Sequence, residues 1–195
     1  FIIDPSMMGA YHMDLGKIAY VGKQGVLALL GESSFAENIG HTSPNHHLSS
    51  FFKKLIAKTD GRIIFSVLPV HLYTIEGIFN AAKNSHRKVV VMGKKLQNII
   101  NMAIKENYIN IEEGQIGDLS NVNDHNSILL ISDDRSNAYN MFERIIAGND
   151  KFIKLNEHDT VCFAEPKYDE NEKAFVKVEN ELAIKGINTV SIPKD

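Results

Sequence analysis

The sequence predicts a doubly wound α/β domain, a mostly parallel sheet with helices on both faces. Three observations carry this reading. Short apolar runs rich in β-branched residues recur, and Lys88-Val89-Val90-Val91-Met92 shows the pattern best. A turn and a segment of helical period follow such a run. After Gly93, residues Leu96, Ile99, Ile100, Ala103 and Ile104 fall on one stripe. The alternation then continues without a linker, a low-complexity tract or a sequence repeat, so the strands join a parallel sheet covered on both sides.

In chain order, Ile2-Ile3 reads as the tail of a strand, and a short helix is expected near residues 15–20. Gly25 to Gly31, with Val26, Leu27, Leu29 and Leu30, reads as the first clear strand. Gly40 and Pro44 break the chain into a loop. His46 to Lys58 is a helix with Leu48, Phe51, Phe52, Leu55 and Ile56 on one side. Arg62 to Val67 is the second strand, and His71 to Ala82 the next helix. Lys88 to Met92 and the stripe after it supply the third strand and its helix. A polar connection through Glu112-Glu113-Gly114 leads to a fourth strand, Ser127 to Ser132, and a helix over residues 137–147 that Gly148 stops. Residues 152–155 read as a short strand, Thr160 to Ala164 as the fifth, Asn171 to Lys185 as a helix ended by Gly186, and Ile187 to Ile192 as the last strand.

A chain of 195 residues with 44% hydrophobic and 23% charged residues can bury a proper core, and it reads as one domain, residues 1–195. It begins at Phe1, in what resembles the end of a strand, and so reads as a piece of a longer protein. The net charge is −3, with 21 basic against 24 acidic residues, which argues against non-specific nucleic-acid binding through bulk charge. The single cysteine, Cys162, lies in an apolar run and reads as core. One cysteine permits no internal disulfide and suits a reducing cytoplasm. No signal peptide and no membrane-spanning apolar run is present, so no membrane partner is expected. The spacings His-x-His, His-Glu-x-x-His and Cys-x-x-Cys are absent. No metal site or cofactor is therefore expected within this stretch.

Ligands of such sheets bind beyond the carboxyl ends of the strands. That rule selects Glu32, Ser33 and Ser34 after the first strand, and Pro69 and His71 after the second. It selects Gly93, Lys94 and Lys95 after the third, and Ser132, Asp133, Asp134, Arg135 and Ser136 after the fourth. After the fifth it selects Glu165, Lys167 and Tyr168. Gly93-Lys94-Lys95 opens a helix, where free N–H groups favour an anion. Two solvated lysines after a glycine turn is the simpler reading of it. The P-loop and G-x-G-x-x-G spacings are both missing.

Val91 to Ala103 resembles the "VVGRSMENVINIA" segment of the ribonuclease J family, and Gly25 to Glu37 resembles its "GVLCLLSDSTNAE". Gly61-Arg62-Ile63-Ile64 matches its "GRII", Asp159-Thr160-Val161 its "DTV" and Asn171-Glu172-Lys173 its "NEK", in the same order. Phe1 to Pro5 resembles its "FKFDPTP". The resemblance implies the β-CASP domain of a metallo-β-lactamase-fold ribonuclease acting in RNA processing or decay. In that family two zinc ions in the catalytic domain activate water to cut RNA, and the β-CASP domain helps to hold the RNA over them. The implied partners are RNA and the metallo-β-lactamase domain of the same parent chain, and a homo-oligomer of the parent is compatible with it. The zinc motifs of that family are not in this chain, so the fragment should be inactive alone. Glu32 stands where the family has an aspartate and takes that catalytic position, at the carboxyl end of its strand and facing the catalytic domain. Ser33, Ser34, His71, Lys94, Ser132, Arg135 and Ser136 are the candidate RNA or phosphate contacts.

Several loops depart from the family. Its "TGSQGEP" becomes Ser132-Asp133-Asp134-Arg135-Ser136-Asn137-Ala138, its "TFASNIHR" becomes Val67 to Thr74, and its "SPIPGNE" becomes Pro166 to Glu172. Two carboxylates now stand where small residues would approach a phosphate. The alternative expectation is therefore a catalytically degraded paralogue serving RNA binding or subunit assembly. An unrelated α/β ligand-binding module is the third.

Overall fold

The computed structural model describes residues 14–30, 48–132, 139–165 and 171–193. The chain divides into two compact units, one of residues 1–47 with 194–195 and one of residues 48–193. In the first, helix α1 spans Leu15–Lys23 and is opened by Asp14, whose Oδ1 accepts the Lys17 backbone N–H at 2.9 Å. The strand expected over residues 25–31 is not formed by its described part. Residues 25–30 carry no strand pairing, and Val26, Leu27, Leu29 and Leu30 are exposed. An apolar run specifies burial, whereas a strand also needs a partner edge to take its N–H and C=O groups.

The second unit holds α2 (Ser49–Lys58), β1 (Ile63–Ser66), α3 (Leu72–Ala82), β2 (Val89–Val91), α4 (Lys94–Lys105), β3 (Ile128–Ile131), α5 (Asn140–Ile146), β4 (Thr160–Phe163), α6 (Glu172–Ile184) and β5 (Asn188–Ser191). The five strands form one parallel sheet in the order β2-β3-β1-β4-β5. The expected doubly wound class is thus correct. Period-two alternation splits the core between its faces. Ile63, Phe65, Val89, Val91, Ile128, Leu130 and Cys162 face α2, α3 and α4. Ile64, Val90, Leu129, Ile131, Val161 and Phe163 face α5 and α6. The four inner and left-hand strands are wholly buried, while β5, with Asn188, Thr189 and Ser191, is the more exposed edge.

Two connections depart from the sequence reading. After α4 the chain runs along the outer edge of β2, where Ile116 bridges Val89 in parallel. Val122 is then buried on the other face, so this segment wraps the sheet edge. Residues 152–155 are a loop rather than a short strand. Side chains take up its carbonyls: Asn123 Nδ2 donates to Phe152 O at 2.7 Å, and Arg62 donates to Lys154 O at 2.7 Å. Among the described residues no helix is long and apolar enough to cross a membrane.

Gly61 shows how closely the amino edge is packed. A Cβ at this position would lie 2.0 Å from the carbonyl oxygen of His158. The obstructing atoms are mainly the backbone of His158, which has little room to yield, so Gly61→Ala should destabilise the domain by about 2–3 kcal/mol. Urea unfolding checks this, and a loss below about 0.5 kcal/mol would show that the turn at His158 moves freely.

Candidate functional site

Parallel pairing brings Ser66, Ile131, Phe163 and Ser191 to one level, so the loops that follow β1, β3, β4 and β5 leave from one edge of the sheet. At the centre of that edge a polar cluster interrupts the apolar core. Ser66 ends β1 on the α5/α6 side and is buried, and its Oγ donates to Glu165 Oε1 at 2.5 Å. The Tyr139 hydroxyl hydrogen-bonds the same carboxylate. Glu165 thereby joins the roots of three connections: Ser66 precedes residues 67–71, Tyr139 follows 133–138, and Glu165 precedes 166–170.

Tyr139 is held there at some conformational cost. Its φ of 68° is left-handed, which disfavours a side chain by about 1–2 kcal/mol. Ring contacts offset this, with centroids 5.9 Å from Phe163, 5.8 Å from Phe175 and 6.4 Å from Phe142. The left-handed residue also delays the helix expected over 137–147, which begins at Asn140. Burial, with the Glu165 carboxylate second, pushes the Tyr139 hydroxyl well above the usual tyrosine range. Below pH 10 both folded and unfolded chains keep this proton. Above it the unfolded chain ionises first, so stability falls as pH rises. Thermal unfolding between about pH 9 and 11 should therefore show a shallower alkaline loss for Tyr139→Phe than for the unaltered chain. Parallel curves would place Tyr139 outside the coupling.

The expected contacts are partly described. Lys94 is the first residue of α4 and is exposed. Gly93 caps that helix with φ 90° and ψ 132°. Nothing would obstruct a Cβ there, so the backbone conformation, not space, selects glycine. His71 is the N-cap residue of α3, half-buried, with its N–H donating to Leu68 O at 3.0 Å. Ser132 is half-buried one residue beyond β3. These three stand at the ends of different strands on the same edge as the cluster. Glu32, Ser33, Ser34, Arg135 and Ser136 lie outside the described residues, as do Asp133, Asp134, Lys167 and Tyr168.

Sequence reasoning selected Glu165 by its place after β4 but missed Ser66 and Tyr139. Ser66 had a signal, as the one hydroxyl in the apolar run 63–68. Tyr139 had none, because its role depends on a backbone conformation that the helical pattern hides. Cys162 is fully buried between β1 and β5, and burial pushes its thiol upward, as a core cysteine requires. Among the described residues no group of three or more His, Cys, Asp or Glu side chains could hold a metal ion.

The arrangement can hold three loop roots in register and present hydroxyl groups and one carboxylate at the carboxyl edge. It is an acceptor-rich centre with cationic and amide groups at its margin, at Lys94 and the start of α4. The protein-family model described as "Ribonuclease J, beta-CASP domain" matches residues 60–182. The chain is 27% identical over 184 residues to a Ribonuclease J 2 of Streptococcus pyogenes, which covers 92% of this chain and 33% of that protein. It is 27% identical over 193 residues to a Ribonuclease J of Synechocystis sp., covering 97% and 30%. A Ribonuclease J 2 of Staphylococcus aureus is 25% identical over 193 residues, covering 97% and 35%. The chain therefore spans about a third of the length of these relatives.

Proposed function

This chain belongs to the ribonuclease J β-CASP family, and on that premise we propose that it serves a zinc-dependent ribonuclease of the cytoplasm by holding RNA over that enzyme's catalytic domain. The carboxyl edge supports this most directly. Three of its loops are tied at their roots by one carboxylate, which would keep an RNA-facing rim in fixed relative positions. The zinc belongs, in this reading, to the catalytic domain of the parent. Among the described residues no group of His, Cys, Asp or Glu side chains would hold it. The exposed apolar residues Val26, Leu27, Leu29 and Leu30 support a second contact, with that catalytic domain.

One observation favours the degraded-paralogue alternative. Glu165 places a negative charge at the centre of the rim, and in the sequence after β3 Asp133-Asp134 replace the family's small residues. Backbone N–H groups bind phosphate best where small residues allow close approach. The unaltered chain should thus bind a short 5′-phosphorylated RNA weakly. Asp133→Gly with Asp134→Ser should tighten binding roughly 3–10-fold at low salt, where repulsion is least screened. Fluorescence anisotropy at two ionic strengths reads this. Tight binding by the unaltered chain, or no gain from the double change, would relocate the phosphate-binding defect away from this loop.

A further inference from the structure

The two faces of the sheet are charged differently. α2 carries Lys53, Lys54 and Lys58 and no acidic residue, and α4 carries Lys94, Lys95 and Lys105 and none either. Both helices pack on the same face, through Phe52, Ile56, Leu96 and Ile100. α3, on that face too, adds only Glu76, and none of its residues is fully exposed. The helices on this side thus hold six lysines against one glutamate. On the other face α5 and α6 carry Arg144, Lys173 and Lys177 against Glu143, Glu172, Glu179 and Glu181.

The pairing differs as well. Lys177 bonds Glu143 at 2.7 Å, and Arg144 bonds Asp150 at 2.8 Å. Lys53, Lys54, Lys58, Lys94 and Lys105 are exposed and make no ion pair among the described residues. Lys54 and Lys58 repel each other at i,i+4, and Lys94 and Lys95 stand against the positive end of a helix dipole. Asp60 and Glu106 follow the two helices and offset part of the charge at their carboxyl ends. Lys58 and Lys105, in the last turns, complement their helix dipoles, whereas Lys53, Lys54 and Lys94 are not offset in this way, and together the exposed lysines fit an external polyanion. Asn98 and Asn101 add exposed amides on α4, as phosphate and sugar contacts use. α2 turns its Phe51, Phe52, Leu55 and Ile56 toward the core, so it lacks the outward apolar face of a helix lying on a membrane.

We propose that the α2–α4 face is a second RNA-binding surface, one that holds the phosphodiester backbone of a single strand irrespective of its 5′ end. The proposal rests on RNA as the ligand of this domain and extends it from the carboxyl edge to the helix face. It differs from the rim in what it reads: strand length and salt, not end chemistry.

The test is anisotropy of the whole 195-residue chain with a 5′-hydroxyl oligouridylate of about twenty nucleotides, at roughly 50 and 200 mM salt. Lys53→Gln/Lys54→Gln/Lys58→Gln should weaken binding about tenfold or more at the lower salt, and should reduce the slope of log K against log salt by about two. Circular dichroism should stay unchanged, since the three side chains are exposed. Lys173→Gln/Lys177→Gln, on the other face, should alter affinity less than about threefold. Equal losses from both sets would overturn the proposal, as would no loss from the α2 set. In the second case a retained response of 5′-phosphorylated RNA to the Asp133/Asp134 exchange would leave the rim standing. If the chain bound neither RNA, both the surface and the RNA reading would fall. Binding to phosphatidylserine vesicles without binding to RNA would assign the face to lipid instead and overturn the proposal.

Discussion

Asp159→Ala should lower the stability of the domain by about 3–5 kcal/mol, because it strands a buried guanidinium. Arg62 is 2% exposed, and Asp159 is 1% exposed. Nε donates to Asp159 Oδ1 at 3.0 Å and an Nη to Oδ2 at 2.5 Å, a two-point contact that fixes both planes. The remaining N–H groups reach Val122 O at 2.7 Å, Asn123 Oδ1 at 2.9 Å and Lys154 O at 2.7 Å. Asp159 also accepts the Asn156 N–H at 2.9 Å. The network ties β1, the segment after the wrapped edge and the approach to β4 into one amino-edge clamp. With the carboxylate gone, the guanidinium keeps neutral acceptors but has no counter-charge at a site buried from solvent. Arg62→Met together with Asp159→Leu should recover at least half of the loss, since no charge is then left buried. Urea unfolding of the three variants measures this. A cost near 1 kcal/mol for Asp159→Ala would mean that water reaches the pair.

Phe163→Ala should cost a similar amount, about 3–5 kcal/mol, through a cavity at the base of the carboxyl edge. Phe163 is 1% exposed and its ring centroid lies 4.8 Å from Phe175, 5.6 Å from Phe142 and 5.9 Å from Tyr139. The consequence should go beyond lost area. Tyr139 is in a left-handed conformation that these rings help to hold, and its hydroxyl engages Glu165. A void beneath it lets the ring relax and loosens the link between the loop roots. Near-ultraviolet circular dichroism should fall in Phe163→Ala and be largely kept in Phe163→Leu, while urea unfolding gives the energies. An unaltered near-ultraviolet spectrum in the alanine variant would show that Glu165 alone positions Tyr139.

Much of the fold was legible in the chain. The stripe Leu96, Ile100 and Ala103 is buried as its period requires, and Val89 to Val91 is a strand buried on both faces. Such patterns are local: a helix or a buried strand is specified by which of its own residues avoid water. The run at residues 25–30 has the same apolar character yet forms no strand in its described part, because strand formation depends on a neighbour that the run does not encode. Residues 152–155 failed likewise, their carbonyls being taken by Asn123 and Arg62 from 29 and 92 residues away in sequence.

The candidate site divides along the same line. The sequence by itself determined which strand ends would carry polar residues, and it marked Arg62 and Asp159 only as parts of two separate family-like blocks. That these two form one buried ion pair, 97 residues apart, was decided by the pairing of β1 with β4. The union of Ser66, Tyr139 and Glu165 came from the same pairing and from one left-handed backbone turn. Periodicity records how each residue meets solvent within its own element. Contacts between elements depend on strand order, here β2-β3-β1-β4-β5, which is set by how the two core faces fill and not by any single segment.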